Sequence, residues 1–162
     1  MIVLGIDPGV ASVGYGVIEY KGSRFKALEY GTFKTPAGDA LPHRLLAIYD
    51  FLKALTAKYP IDAMSVEQLF FTNNITTGIP VAQGRGVILL AGEQCGLTIA
   101  EYTPVQVKQA VVGYGRAEKK QVQQMVRVLL GLTEVPRPDD TADALAVAIC
   151  HAHTAGSLLS RL

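Results

Sequence analysis

Cysteine is scarce in this chain, long apolar runs are missing, and neither sign of charge dominates. Among 162 residues there are two cysteines, Cys95 and Cys150, at no metal-ligand spacing, so each is expected as a free buried thiol in a reducing cytoplasm. No apolar run reaches the length needed to span a bilayer, which argues against a membrane protein. The apolar opening Met1–Ile6 has no basic segment ahead of it and meets a charge at Asp7, so it reads as a buried strand rather than a secretory signal. Internal repeats, low-complexity tracts and linkers are absent too, which leaves one domain over residues 1–157 and a short tail at 158–162. The formal net charge of +1 gives no gross electrostatic case for a polyanionic partner. Its distribution is more telling: Lys108, Arg116, Lys119, Lys120 and Arg127 follow one another with Glu118 as the one acid among them, and Asp139, Asp140 and Asp143 cluster just beyond.

What is present is a globular composition, 49% hydrophobic and 18% charged, long enough to bury a sizeable core. Ile2–Ile6 is a continuous apolar run, as in a strand covered on both faces, broken by Asp7-Pro8-Gly9. Val13–Tyr20 and Phe25–Lys34 are rich in β-formers and separated by a turn at residues 21–24. Leu45, Ile48, Leu52 and Leu55 recur at helical spacing within 41–59. A strand over 61–67, a glycine-interrupted helix over 77–95 and a strand over 97–102 follow. Thr103-Pro104 then supplies a cap and a first helical residue for a short helix ending at Gly113. Residues 118–130 and 139–155 predict two more helices. A three-strand meander feeding βαβ crossovers gives an α/β, five-stranded mixed sheet flanked by helices, the order of a ribonuclease-H-like fold. Fold alone assigns no function.

The carboxylates carry more. Asp7 and Glu67 each end a strand; if those strands pair in parallel, both emerge at the carboxyl-end edge where ligands of α/β sheets bind. Asp140 and Asp143 stand three apart and so share a helical face, where like charges repel unless a cation lies between them. Each has an ordinary alternative: Asp7 as a turn former before Pro-Gly, Glu67 as a strand-end surface residue, Asp139 and Asp140 as helix caps. The set of four, with no cysteine or paired histidine among them, suits Mg²⁺ or Mn²⁺ rather than zinc. Two such ions ~4 Å apart activate a water and stabilise the leaving oxygen of an in-line phosphoryl displacement. His151 falls near the Asp140 face but eleven residues along, roughly 16 Å away, too far to share a metal; it and His153 read as structural.

Gly5-Ile6-Asp7-Pro8-Gly9 with Gly14-Tyr15-Gly16-Val17-Ile18, and Val66-Glu67-Gln68-Leu69-Phe70, resemble the amino terminus and the second acidic motif of the RuvC family of Holliday junction resolvases. Gln83-Gly84-Arg85-Gly86-Val87 is similar to the helix that follows, Val107–Gly113 and Ala117–Val122 to the basic segment, and Asp140-Thr141-Ala142-Asp143 to the last acidic motif. The resemblance implies metal-binding catalytic acids at Asp7, Glu67, Asp140 and Asp143, the Asp-x-x-Asp spacing favouring Asp140 over its neighbour Asp139. It further implies a homodimer that nicks two strands of a four-way junction symmetrically. Such an enzyme leaves 5′-phosphate and 3′-hydroxyl ends and works with a RuvA–RuvB branch-migration complex. Lys108 and Lys119, the latter as a catalytic residue, are expected near the scissile phosphate, with Mg²⁺ preferred for its abundance. Phe70 is expected to stack on an unpaired base and Phe71 to pack in the core. Lys120 and Arg127 are read either as DNA contacts or as a solvated helix face, the Gly113–Arg116 loop as a mobile segment that orders on DNA, and Gln83 and Arg85 as facing DNA or a second subunit.

Two readings of other classes compete. Asp7 to Gly16 also resembles the phosphate-cradling hairpin of actin-like nucleotide-binding proteins, which trap nucleotide between two such domains where this chain has one. A junction-binding scaffold without catalysis is the other, opposed by the presence of all four acids. Within the fold class, a nuclease for other branched DNA or RNA stays open.

Overall fold

Period-two alternation in the first strand sets the architecture. In the computed structural model, which describes residues 1–68 and 75–159, β1 (Ile2–Asp7) sends Leu4 and Ile6 to one side and Val3 to the other. β2 (Ser12–Lys21) and β3 (Arg24–Lys34) continue as an antiparallel meander, turning at Gly22-Ser23, both with positive φ. Chain order then runs α1 (Leu41–Lys58), β4 (Ala63–Glu67), α2 (Ile75–Gln94), β5 (Thr98–Tyr102), α3 (Pro104–Val112), α4 (Lys119–Leu129) and α5 (Asp139–Leu159). The five strands lie in the order β3-β2-β1-β4-β5, with β4 parallel to β1 and β5 parallel to β4. This is the expected mixed sheet flanked by helices.

The helices divide between the faces. α1 and α2 cover Leu4, Ile6, Val13, Val17, Met64 and Val66 with Ile48, Leu52, Leu55, Ile88 and Ala91. The glycines of α2 weaken it as a helix but let it lie close: a Cβ at Gly92 would stand 2.4 Å from Met64 Cε, and one at Gly84 2.9 Å from Val10 Cγ2. On the other face α5 spans β1, β2 and β4, flanked by α3 and α4, and Val3, Ile18 and Leu145 meet Val107, Val122 and Val126.

The short helix α3 begins as its sequence dictates, with Thr103 Oγ1 accepting from Gln106 N at 3.2 Å and Gln106 Oε1 accepting from Thr103 N at 2.8 Å. It ends at Gly113, whose φ of 98° is the left-handed cap. The last helix runs to Leu159, past the expected end at Ala155, because Gly156 does not stop it. Gly156 instead lets the helix approach Tyr20, whose Cε1 would be 3.0 Å from an added Cβ. Both cysteines are free thiols, and among the described residues no helix is long and apolar enough to cross a membrane.

Candidate active site

Asp7 and Glu67 are brought together by register. Gly5 pairs with Ser65 and Ile6 with Val66 across the parallel β1–β4 ladder, so Asp7 and Glu67 end adjacent strands side by side. By alternation both side chains leave on the α5 side, as Val3 and Gly5 do. The first turns of α5 then carry Asp140 and Asp143 to them, and three glycines make that approach close. A Cβ at Gly14, opposite Asp7 on β2, would stand 2.1 Å from the Asp140 carbonyl oxygen; one at Gly5 would stand 2.0 Å from that of Ala144; and one at Gly16 would stand 2.5 Å from Leu145 Cδ2. At Gly5 and Gly14 helix backbone thus rests directly on strand backbone.

The electrostatics follow from this crowding. Burial, reinforced by the negative charges of Asp143, Glu67 and Asp140, pushes the Asp7 carboxyl up to about 7 from 3.8. Burial and Asp143 raise Glu67, against the opposing pull of Lys119 and Lys108. Asp143 is raised as well: its burial outweighs the ion pair with Lys119, whose Nζ lies 3.0 Å from Asp143 Oδ2. A cleft of about 200 Å³ opens beside them, lined by Glu67, Asp143, Lys108, Lys119 and the apolar Pro104, Val107, Val122 and Ala146. Among the described residues no three of these carboxylates are already drawn into a closed cation cage. Even so, an all-oxygen set destabilised by its own repulsion is the donor chemistry that a hard divalent cation relieves, so the residues present fit such an ion.

Other expected site residues sit farther out. Lys120 and Arg116 are exposed, Lys120 on α4 and Arg116 in the connection ahead of it. That connection is tied down: Tyr114 Oη donates to Gln121 Oε1 at 2.8 Å, and Gly115 lies against Val105. Arg127, half-buried, donates from Nε to Gln124 Oε1 at 3.2 Å. Arg85 is mostly buried and ion-paired with Glu101 of β5, which anchors α2 to the sheet, while Gln83 is exposed. Phe70 and Phe71 lie outside the described residues. His151 Nδ1 meets Tyr102 Oη at 2.9 Å and His153 Nδ1 meets the Ala110 carbonyl at 3.1 Å, so both histidines are engaged within the fold. Sequence reasoning missed Arg137 and the place of Asp139, which bridges Lys119 Nζ at 3.3 Å and Arg137 Nη1 at 3.1 Å. No spacing links positions 119 and 139 before the fold is known.

Residues 3–151 match the family described as Crossover junction endodeoxyribonuclease RuvC. This chain belongs to the RuvC family. It is 57% identical over 162 residues to the crossover junction endodeoxyribonuclease RuvC of Desulfitobacterium hafniense, covering all of this chain and 98% of that one. Among solved structures, that of Thermus thermophilus RuvC superposes with a TM-score of 0.90 at 37% identity, over 97% of this chain and 96% of that one. T. thermophilus RuvC in complex with Holliday junction substrate superposes with a TM-score of 0.89 at 34% identity, over the same shares. RuvC nucleases are metal-dependent phosphodiester hydrolases.

Proposed function

We propose that this protein is a Holliday junction resolvase, a crossover junction endodeoxyribonuclease that binds four-way DNA and nicks two strands symmetrically in recombination and repair. Residues 1–157 form its nuclease domain, and it acts in the cytoplasm. The observation that supports this reading is the crowding of Glu67, Asp140 and Asp143 around Asp7, from two strand ends and one helix, beside a cleft that Glu67 and Asp143 line together with Lys108 and Lys119. These four acids would hold Mg²⁺, two ions per site, with Mn²⁺ able to substitute. Held there, the metal would supply Lewis-acid chemistry for attack of water on phosphorus; with the 3′ oxygen as leaving group, cleavage leaves 5′-phosphate and 3′-hydroxyl ends.

The chain's own residues do the rest. Lys108 and Lys119 face the cleft from α3 and α4, where their ammonium groups neutralise the phosphate and the charge that develops on it. The apolar side chains Val107, Val122 and Ala146 limit water on that wall and so strengthen those interactions. Arg116 and Lys120 are exposed on the same side and extend the positive surface along the DNA backbone. Phe70 follows the Glu67 strand and is assigned the stacking contact with an unpaired base. Arg85, midway along α2 and held by Glu101, is assigned a supporting role in DNA binding.

Symmetric incision requires two sites, hence a homodimer. Exposed Leu46 on α1 and Ile79 and Leu90 on α2 give this chain an apolar surface, on the pair of helices opposite α5, for a second copy to cover. A RuvA–RuvB branch-migration complex is the expected partner on the DNA.

The test is cleavage of a synthetic mobile four-way junction with and without Mg²⁺, beside a linear duplex. Paired, ligatable nicks in the junction alone, and with metal alone, are the expected result. Equal cutting of flaps or RNA–DNA hybrids would replace the junction with a broader substrate class, and binding without cleavage would make the protein a scaffold.

A further inference from the structure

We propose that Asp139 is a positioning residue that holds the Lys119 ammonium at the edge of the cleft, so that Asp143 is free to take a divalent cation. The inference rests on the reading of the cleft as the metal site. It concerns a residue with no place in the four-acid set: Asp140, Asp143 and Glu67 act on Asp7, whereas Asp139 lies outward.

Lys119 is the first residue of α4, where the helix dipole is positive and a cation is unfavourable without an anionic partner. Two acids serve it. Nζ lies 3.0 Å from Asp143 Oδ2 and 3.3 Å from Asp139 Oδ2. The second oxygen of Asp139, Oδ1, receives Arg137 Nη1 at 3.1 Å. Asp139 is therefore held from two sides and opens α5, where an acid complements the dipole.

Lys119 also stands between two clefts. One is the carboxylate cleft; the other, about 330 Å³, is lined by Lys120, Gln123, Gln124, Val135, Arg137 and Asp139. An ammonium on Asp143 competes with a metal for the same oxygens, because a ligand must be both ionised and free. With Asp139 fixed on the outer wall, Lys119 can release Asp143 and keep a carboxylate partner, still at the rim where a phosphate arrives. Without it, Asp143 is its remaining anchor.

The experiment is Asp139→Asn, with Mn²⁺ and Mg²⁺ binding measured calorimetrically on the DNA-free protein beside metal-dependent junction cleavage. Affinity should weaken by about threefold to tenfold, at the low end of what outer partners of metal ligands contribute because this pair is half exposed. The metal concentration for half-maximal cleavage should rise by the same factor, cleavage should recover at high metal, and Asp139→Glu should restore the affinity. In a Lys119→Met background the effect of Asp139→Asn on metal binding should largely vanish. Unchanged affinity overturns the proposal. So does an equal effect with Lys119 removed, which would mean charge alone, and so does cleavage lost at every metal concentration, which would make Asp139 a ligand. If the wild-type protein and Asp7→Asn bind metal equally, it is the metal-site reading itself that fails.

Discussion

On one face of the sheet, α1 and α2 lie over bulky side chains: Phe33 stacks on Phe51 at 4.4 Å, Tyr15 meets Phe51 edge-on, and Leu52, Met64 and Ile88 fill the space between. On the other face α5 lies on Gly5, Gly14 and Gly16, with Ala144 and Ala148 against the strands. The bulky face has side chains that can shift to accommodate a change in volume. The α5 face has, at Gly5 and Gly14, strand backbone against the helix backbone of Ala144 and Asp140, where no side chain can shift to make room. Asp140 and Asp143 are mounted beside these two contacts, which keeps them fixed relative to Asp7, as the proposed catalytic role requires.

The sharpest way to test that contrast is to damage both faces. Leu52→Ala, 1% exposed on the bulky side, should cost about 2–5 kcal/mol in urea unfolding, while the folded fraction keeps its junction cleavage. Gly14→Ala should cost less, about 1–3 kcal/mol from overpacking, yet lose most cleavage, because the new methyl displaces the turn that bears Asp140. If the two variants lost activity in proportion to stability, the faces would not differ in the way described.

Smaller still, and opposite in sign, is the effect of Asp7→Asn. Cleavage should fall to the protein-free background, while the metal-free melting temperature rises by about 2–4 °C for each kcal/mol of repulsion and desolvation relieved. The same group sets a pH dependence. Asp7 is raised from 3.8 to about 7 on folding, so the metal-free folded state holds a proton that the unfolded state has lost between those values. Its contribution to stability is present at low pH and is lost as pH rises through about 7, with Glu67 and Asp143 shifted the same way. Melting curves at pH 5.5 and 8 should show the metal-free protein weaker at the higher pH, Mg²⁺ stabilising it more there, and Asp7→Asn flattening the difference.

Much of this was legible before the fold. Ile2–Ile6, the turn at 21–24 and the Thr103-Pro104 cap are local signals, and each element lies within a few residues of its expected place. The two acidic strand ends and the Asp-x-x-Asp pair could be picked out because strand parity and helical spacing are properties of adjacent residues. What stayed hidden depends on contacts between distant segments. Gly156 looks like a helix stop and is a contact with Tyr20; Arg85 looks like an exposed cation and is held by Glu101; Asp139 looks like a cap and is also a bridge. Glycine 14 stood out as part of a motif, but its purpose, making room for the carbonyl of residue 140, is visible only once helix and strand meet.

The position of α5 in the chain has a consequence for the protein's synthesis. Asp140 and Asp143 lie on the last helix, and that same helix closes the hydrophobic core on its face. A ribosome that has translated through Pro138 has made a chain with two of the four acids and half of its sheet still uncovered. Folding of that face and assembly of the proposed cutting site are therefore one event, so a nascent chain still lacking α5 has neither the cover for its sheet nor the Asp140–Asp143 pair.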